Sequence, residues 1–411
     1  MSEEKIDTII VGGGQGGIST SYHLKQQGKN HIILEQADQA ASAWRKRWDS
    51  FTLVTPNWMI RLPGAGYQGD DPDGFTARDD VVAYFENYIQ QFNLPIRYGI
   101  RVTTVEYLGP GYMVSTTQGD FKATNVVIAT GMFQEPKIPQ ISTKLSSDIY
   151  QLHSSEYKNP EAHPDGAILV VGSAQSGCQI AEELYQSGRK VYLPVGRAGR
   201  APRRYRGKDV TRWSVDMGIV DRTADQLPSP KSKFMGSLQG SGKDGGHSIN
   251  LHRFAKDGVV LLGHIKDIDG NRILLAPDLH ENLAKADESE AEFTKQVDAF
   301  IEKNGLDAPM ETLPELRDGY EAEVITELDL KAAGIRSIIW ATGYKFDFSL
   351  VKLPVFDEDG YPVQKRGVTE YPGLYFVGLI FLHTIKSGLL FGVGEDAAHI
   401  VSVIAGNNRE H

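Results

Sequence analysis

Short, uninterrupted apolar runs that end near glycine recur along the chain. The runs at 8–11, 126–128, 168–171 and 338–340 carry β-branched or apolar side chains without polar alternation. Such runs are typical of parallel strands buried on both faces of a sheet. Because two of these runs precede stretches of helical length, the pattern predicts an α/β fold with parallel sheets.

The first run opens a complete strand-helix-strand unit. GGGQGG at 12–17 follows the strand, a helix is predicted over 18–27, and an acid closes the second strand. In such a unit the glycines permit a tight turn, close approach to a pyrophosphate and close packing of helix on strand. The acid can accept hydrogen bonds from both ribose hydroxyls. The predicted dinucleotide site consists of Gly12, Gly14, Gly17 and Glu35.

The same unit recurs later in the chain. GSAQSG at 172–177 follows an apolar run and precedes a predicted helix over 178–185 and a strand over 190–195. Ala174 replaces the middle glycine, so its methyl group lies where the backbone and a pyrophosphate come close. We therefore expect a second dinucleotide whose phosphate lies slightly further out. The predicted site residues here are Gly172, Ala174, Ser176 and Gly177.

The second unit lacks the acid of the first. Val195 stands where Glu35 stands in the first unit, and no acid precedes Lys208. A carboxylate there would repel the 2′-phosphate of NADP, whereas a guanidinium can bind it with two hydrogen bonds. We predict NADPH rather than NADH, with Arg197 as the phosphate contact; the alternative is a solvated basic loop. The arginines in this stretch are Arg197, Arg200, Arg203, Arg204 and Arg206.

Two apolar strands end in the same tripeptide, Ala-Thr-Gly, at 129–131 and 341–343. Small residues at the carboxyl end of a strand let the chain cross close to a bound dinucleotide. Either tripeptide alone could be a turn after a buried strand, but the repetition favours a cofactor contact. The predicted contacts are Ala129, Thr130, Gly131, Ala341, Thr342 and Gly343.

The bulk properties narrow the class of protein. A chain of 411 residues is long enough for two nucleotide-binding domains, and its net charge of -10 disfavours nucleic acid and anionic lipid as partners. The acidic start at 1–5 favours the cytoplasm. His383 and Lys386 interrupt the apolar stretch at 373–394, so no membrane span is predicted. A single cysteine excludes an internal disulfide, and the histidines show no metal-ligand spacing, so no metal site is expected.

Around these fingerprints the sequence resembles the flavin-containing monooxygenases and their bacterial relatives among the class B flavoprotein monooxygenases. The resemblance covers nearly the whole chain. Glu35 and Trp44 are similar to the family's acid-to-tryptophan segment, with Ala41 and Ser42 at its usual two glycines. This implies that the segment contacts FAD largely through its backbone.

The family's identifying sequence, FxGxxxHxxxY, is present in part. His153 and Tyr157 keep its spacing, while Ser147 and Ile149 stand at the phenylalanine and glycine. The resemblance implies that the histidine and tyrosine join the domains and help to position the nicotinamide. Tyrosine rather than tryptophan favours oxygenation of a heteroatom over Baeyer-Villiger chemistry.

Further segments resemble stretches that lie near the flavin in this family. Residues 51–58 are similar to the stretch with an active-site asparagine, although Pro56 stands at its position and Asn57 follows. Asn57 either hydrogen-bonds oxygen at the flavin or is a turn residue after proline. The stretch from 373 to 396 is similar to one that directs a helix N-terminus at the isoalloxazine ring. The resemblance adds Trp44, Val102, Gly378 and Gly388 to the FAD site.

Together these features predict two Rossmann-like dinucleotide-binding domains, one for FAD and one for NADPH, with the second inserted into the first. The FAD-binding domain is expected to comprise 1–158 and 321–411, and the NADPH-binding domain 159–320. Within the inserted part, 231–246 is expected to be an insertion loop and 283–303 a solvated helix.

The activity that the resemblance implies is an FAD-dependent, NADPH-using monooxygenase. It would insert one oxygen atom from O2 into a small organic substrate by way of a C4a-(hydro)peroxyflavin. The alternatives are an NADPH:acceptor flavoprotein reductase without oxygenation, and a non-catalytic flavin-binding redox sensor. A homodimer is the commonest assembly for such an enzyme. Trp58, Tyr67 and Trp213 are candidates for an apolar substrate pocket, although aromatics are more often core residues.

Overall fold

The computed structural model describes residues 4–234 and 239–407. The strands are β1 Glu4–Val11, β2 His31–Leu34, β3 Arg61–Leu62, β4 Ala65–Gly66, β5 Ile96–Arg97, β6 Val102–Tyr107, β7 Tyr112–Thr116, β8 Gly119–Ile128, β9 Glu135–Pro136, β10 Tyr150–His153, β11 Ala167–Val171, β12 Val191–Pro194, β13 Arg204–Tyr205, β14 Lys208–Asp209, β15 Val260–Leu262, β16 Ile265–Asp269, β17 Arg272–Leu275, β18 Glu327–Asp329, β19 Ile335–Trp340, β20 Tyr344–Lys345 and β21 Leu374–Phe376. The helices are α1 Gln15–Gln26, α2 Ser42–Arg45, α3 Arg78–Gln91, α4 Gln175–Gln186, α5 Val210–Asp216, α6 Leu251–Lys256, α7 Leu279–Asn304 and α8 Val393–Asn407.

Two sheets form the framework: the first is mixed, because β6, β7 and β8 pair antiparallel, and the second is parallel. The first has the order β5-β2-β1-β8-β7-β6, with β21 added beside β8. The second has the order β10-β19-β11-β12-β15, and its strand pairs are all parallel. The apolar runs that predicted parallel strands form the centre of these sheets, where Ile10 and Ile168 are fully buried. The predicted α/β fold is confirmed.

The chain leaves the first sheet and returns to it, so the second domain is inserted as predicted. The sheets place the crossings differently from the predicted boundaries at 158 and 320. Strands β10 and β19 pair along their length within the second sheet. The crossings therefore fall at β9 and β20, which pair with each other as a two-stranded antiparallel ribbon. The physical reason is that hydrogen bonding between non-local strands decides domain membership, whereas the sequence shows only their order.

The inserted part carries further elements. Strands β16, β17 and β18 form an antiparallel sheet, and α7 confirms the helix predicted over 283–303. Helix α7 is not solvated all round, because one face buries Phe293, Val297 and Ile301. No helix of the described residues is long and apolar enough to cross a membrane.

The insertion loop predicted at 231–246 packs against the rest of the protein in its described part. Residues 235–238 lie outside the described residues. Beyond them, Gln239 and Ser241 are buried, because this stretch packs against the start of α4 and against the first domain.

Candidate functional site

The register of the first sheet brings the predicted FAD residues to one edge. Val11 of β1 is level with Leu34 of β2 and with Ile128 of β8, and Ile128 is level with Phe376 of β21. The residues that follow these strand ends therefore lie side by side at the carboxyl edge, where ligands bind in open α/β sheets. They include Gly12, Glu35, Ala129, Thr130, Gly131 and Gly378.

The first glycine loop has a backbone that only glycine can form at two positions. Gly12 has φ +107°, and a Cβ there would lie 2.6 Å from the Ala129 carbonyl oxygen. A Cβ on Gly17 would lie 2.0 Å from the Gly12 carbonyl oxygen. Gly14, immediately before α1, faces open space in which a Cβ would meet nothing within 4 Å. The loop thus leaves a cradle at the helix N-terminus, which fits a pyrophosphate.

The Glu35 side chain is hydrogen-bonded to this loop. Its buried carboxylate accepts hydrogen bonds from the backbone N–H of Gly13, at 2.6 Å, and of Ala37, at 2.8 Å. These bonds fix the carboxylate beside the turn. Because an ionised carboxylate has about four lone-pair positions, it retains acceptor capacity for ribose hydroxyls.

The second glycine loop repeats the geometry of the first. Gly172 has φ +112°, and a Cβ on Gly172 would lie 2.5 Å from the Ala341 carbonyl oxygen. A Cβ on Gly177 would lie 1.7 Å from the Gly172 carbonyl oxygen. Ala174 has φ -79° and ψ -171°, against -76° and -174° for Gly14. The methyl group of Ala174 therefore causes no backbone strain.

The end of β12 offers no acid to this second loop. Val195 is buried, and the backbone N–H of Gly196 donates to the Ser173 hydroxyl at 2.8 Å. Arg197 follows and is exposed. The other predicted arginines are already engaged by the protein, Arg200 with Asp287 and Glu290, Arg203 with Asp209, Arg204 with the carbonyls of Gly245 and Gly246, and Arg206 with Asp298.

The two Ala-Thr-Gly motifs meet at the crossing between the domains. The backbone N–H of Lys137, just beyond the first motif, donates to the Gly343 carbonyl at 2.9 Å. The Thr342 hydroxyl donates to the Lys137 carbonyl, and the Thr130 hydroxyl accepts from Gln134 at 2.7 Å. The motifs therefore tie the two sheets together as well as lining their edges.

His153 is a buried, neutral link. Its Nδ1 accepts from the backbone N–H of Ser155 at 3.1 Å, so Nε2 carries the proton and donates to the Gly343 carbonyl at 3.0 Å. Burial lowers the pKa of His153 below its ordinary value. Nε2 thus holds the second Ala-Thr-Gly motif, while Nδ1 is engaged by Ser155, and both contacts lie within the inserted domain.

Tyr157 lies where the inserted domain meets the first domain. Its hydroxyl donates to Glu183 of α4 at 2.8 Å, and the same carboxylate accepts from Ser50 at 2.6 Å. The ring is fully buried beside Trp48, and burial raises the pKa of the hydroxyl. Tyr157 therefore stays protonated and serves as a hydrogen-bond donor.

Asn57 holds its own loop. Its side-chain nitrogen donates to the Asp71 carbonyl at 2.9 Å, and its side-chain oxygen accepts from Thr76 at 2.6 Å. Asn57 is buried, and both ends of its amide are engaged. This geometry agrees with the turn interpretation rather than with an amide directed at the flavin.

The remaining predicted FAD residues are spread over the first domain. Gly378 has φ +82°, and a Cβ there would lie 3.6 Å from Cα of Gly16. Trp44 lies on α2 against Phe85. Val102 begins β6 and pairs with Thr116, at the opposite end of β8 from the glycine loop. The Gly388 carbonyl accepts a hydrogen bond from the side chain of Gln15 at the start of α1. Ser176, predicted for the second dinucleotide site, is the second residue of α4.

The candidate pocket aromatics separate into two environments. Trp58 lies between Phe391, whose ring centroid is 5.5 Å away, and the Arg212 guanidinium, 3.9 Å from the ring centroid. Trp213 is fully buried and donates its indole N–H to the Tyr205 carbonyl, so it is a core residue. Trp58 therefore sits where the two domains meet, while Trp213 does not.

Sequence reasoning missed three side chains at the loops: Ser173, Gln15 and Gln175. Gln15 donates to the Gly388 carbonyl at 2.6 Å, and Gln175 binds the backbone of Gly240. The signal was available, because a glutamine occupies the same position in GGGQGG and GSAQSG.

Comparison with known proteins agrees with this architecture. The family described as pyridine nucleotide-disulphide oxidoreductase matches residues 9–213. An uncharacterized CzcO-like oxidoreductase from Geobacillus kaustophilus is 31% identical over 401 residues, covering 97% of this chain and 98% of that protein. The probable indole-3-pyruvate monooxygenase YUCCA1 from Arabidopsis thaliana is 27% identical over 416 residues, covering 98% and 90%.

Solved structures share the fold. A flavin-containing monooxygenase from Stenotrophomonas maltophilia has a TM-score of 0.67 at 20% identity, covering 98% of this chain and 99% of that one. A complex of OTEMO with FAD and NADP has a TM-score of 0.58 at 13% identity, covering 100% and 87%. With similarity along nearly the whole length, the chain belongs to the CzcO-like oxidoreductases, and it shares the fold of flavoprotein monooxygenases with two dinucleotide-binding domains.

Proposed function

We propose that the chain is an FAD-dependent, NADPH-using monooxygenase that transfers one oxygen atom from O2 to a small organic substrate. The first glycine loop, with its open cradle and its fixed Glu35 carboxylate, suits the pyrophosphate and ribose of FAD. The second loop, without an acid and with the exposed Arg197, suits the 2′-phosphate of NADPH.

One observation carries oxygenation over thiol-based reduction. Cys178, the one cysteine in the sequence, is fully buried on α4, and its sulfur donates to the Ser173 carbonyl at 3.1 Å. Burial raises the pKa of this thiol, so no thiolate is available at neutral pH. Electrons that reach the flavin therefore have no protein disulfide to enter. The electrons must leave to an acceptor outside the chain, and O2 is the acceptor that the similarity to monooxygenases supports.

The residues of the chain would bind and orient the cofactors. Bound FAD supplies the redox chemistry that accepts a hydride from NADPH and passes its electrons to O2. Gly12, Gly14, Gly17 and Glu35 would hold the FAD phosphates and ribose. Arg197 would hold the phosphate that distinguishes NADPH.

The junction between the domains would keep water from the reacting centre. His153 fixes the second Ala-Thr-Gly motif, and Tyr157 and Ser50 fix α4 against the first domain. Trp58 and Phe391 present an aromatic edge at the same junction. These contacts support a closed, partly apolar site for a small substrate.

The experiment is anaerobic reduction of the FAD-loaded protein by NADPH or NADH, followed by rapid mixing with O2 while the flavin absorbance is recorded. We expect faster reduction by NADPH, a delay before the oxidised spectrum returns, and transfer of one atom of ¹⁸O₂ to methyl phenyl sulfide. Immediate return to the oxidised spectrum without labelled sulfoxide would favour the NADPH:acceptor reductase. Failure of both nucleotides to reduce the flavin would favour the redox sensor.

A matched variant tests the thiol argument. Cys178→Ala should keep the rate of flavin reduction and the yield of labelled sulfoxide within about twofold, because the buried thiol hydrogen-bonds to the protein and has no redox role in the proposal. Loss of flavin reduction in this variant at wild-type thermal stability would instead show that the thiol takes part in electron transfer.

A further inference from the structure

Each of the two glycine loops carries a glutamine at the same position, and its side chain hydrogen-bonds to the protein. Gln15 and Gln175 are the first residues of α1 and α4. Gln15 donates through its side-chain nitrogen to the Gly388 carbonyl. Gln175 donates to the Gly240 carbonyl and also accepts from the Gly240 backbone N–H at 3.1 Å. The first residue of each of these helices, α1 and α4, therefore hydrogen-bonds to the backbone of a glycine that is distant in the sequence.

The segment gripped by Gln15 belongs to the first domain and docks on the second. We define residues 384–388 as the C-terminal strap. Thr384 forms a backbone bridge with Thr223, and the Lys386 ammonium lies 2.6 Å from Asp221. The Lys386 side chain is 14% exposed and Asp221 is 56% exposed, so the ion pair is open to solvent on the Asp221 side.

The segment that hydrogen-bonds to Gln175 belongs to the second domain and contacts the first. We define residues 239–242 as the inserted strap. Its Gln239 donates to the Ser173 carbonyl of the second glycine loop. Its Gly242 packs so tightly on the first domain that a Cβ would lie 2.0 Å from the Leu53 carbonyl oxygen. Nearby, Arg203 donates to the Val54 carbonyl at 2.7 Å.

Each strap therefore joins one nucleotide helix to the opposite domain. The C-terminal strap runs from the start of α1 to the second domain, and the inserted strap runs from the start of α4 to the first domain. The start of each helix is also where a pyrophosphate binds. A cofactor held there lies beside a glutamine that helps to fix the strap.

We propose that Gln15 and Gln175 are positioning residues that hold the two straps over the FAD and NADPH helices, so that the affinity for each cofactor depends on a segment docked on the other domain. This inference rests on the proposed cofactors. Gln175 makes two hydrogen bonds to its strap and Gln15 makes one, so the Gln175 contact is the stronger of the two.

The test uses the FAD-loaded protein without oxygen or substrate. Gln175→Ala should raise the dissociation constant of NADP⁺ about tenfold while FAD retention is unchanged, because two hydrogen bonds are lost. Gln15→Ala should increase the rate of FAD release several-fold, because one hydrogen bond is lost. Gln91→Ala, at an exposed glutamine of α3, is the control and should change neither value.

The pattern of effects decides the inference. An unchanged NADP⁺ affinity in Gln175→Ala, or equal loss of both cofactors together with a lower melting temperature in both variants, overturns it. If the wild-type protein binds no NADP⁺, the proposed cofactor fails. The rate of FAD release from Gln15→Ala against Gln91→Ala then decides the inference by itself, with an unchanged rate overturning it.

Discussion

The two glycine loops have nearly the same backbone but are tied to their sheets in opposite ways. In the first, the Glu35 carboxylate at the end of β2 accepts from the loop backbone at Gly13. In the second, the loop side chain of Ser173 accepts from the backbone of Gly196 beyond β12. In both domains a hydrogen bond thus connects the glycine loop to the end of the second strand. Its acceptor is a carboxylate in the first domain and a hydroxyl in the second. The loop shape is set by its glycines, while the charge that a nucleotide meets is set by the end of the second strand.

A second difference concerns the residue before each helix. Gly14 and Ala174 have φ and ψ within a few degrees of each other. The open space around Gly14 shows that its hydrogen is not required by the protein itself. Any requirement for glycine at this position therefore comes from the bound nucleotide and not from folding.

The largest effect is expected from a substitution that disrupts the first glycine loop and leaves the second unchanged. Gly17→Ala places a Cβ 2.0 Å from the Gly12 carbonyl oxygen, so helix and strand must move apart. We expect loss of bound FAD and about 1–3 kcal/mol of lost stability, the usual cost of overpacking. Flavin absorbance per protein and chemical denaturation measure both. Gly14→Ala is the matched control and should leave the unfolding free energy of the FAD-free protein within about 0.5 kcal/mol. A stable, fully FAD-loaded Gly17→Ala protein would contradict the assignment.

An intermediate effect tests the charge difference between the loops. Arg197→Ala should raise the KM for NADPH about tenfold, since it removes a charge-assisted contact with the 2′-phosphate. The KM for NADH should not change, because NADH lacks that phosphate. Steady-state reduction with both nucleotides measures the ratio, and Arg317→Ala, at an exposed arginine, is the control. Equal rises for both nucleotides would place the contact elsewhere on the cofactor.

The smallest expected effect is on the pH dependence of stability and comes from His153, near the crossing between the domains. Burial lowers the pKa of His153, so the folded protein binds fewer protons at this ring than the unfolded chain does. Stability from this group is therefore complete above the unfolded pKa, near 6.5, and is lost as the pH falls below it. In denaturation between pH 7.5 and 5.5, His153→Gln should show a shallower loss of stability than the wild type. An equal or steeper loss would mean that the ring is not held neutral.

Much of the site was predictable because its determinants are local. The glycines of both loops, the acid after β2 and its absence after β12 lie within short stretches whose spacing the strand-helix-strand unit fixes. The limits appeared where contacts are distant in sequence. Asn57 was compatible with a flavin contact or a turn, and only the positions of Asp71 and Thr76 engaged both ends of its amide.

The sequence by itself determined the α/β class, the two dinucleotide loops and the lack of an internal disulfide, because periodicity, glycine spacing and composition are read directly from the chain. The tertiary structure decided which sheet β10 and β19 join, that His153 holds Gly343 and Tyr157 holds Glu183, and which segments Gln15 and Gln175 hold. Those outcomes depend on hydrogen bonds between residues far apart in the chain. Such bonds form only once the sheets and helices have packed, so no local pattern specifies them.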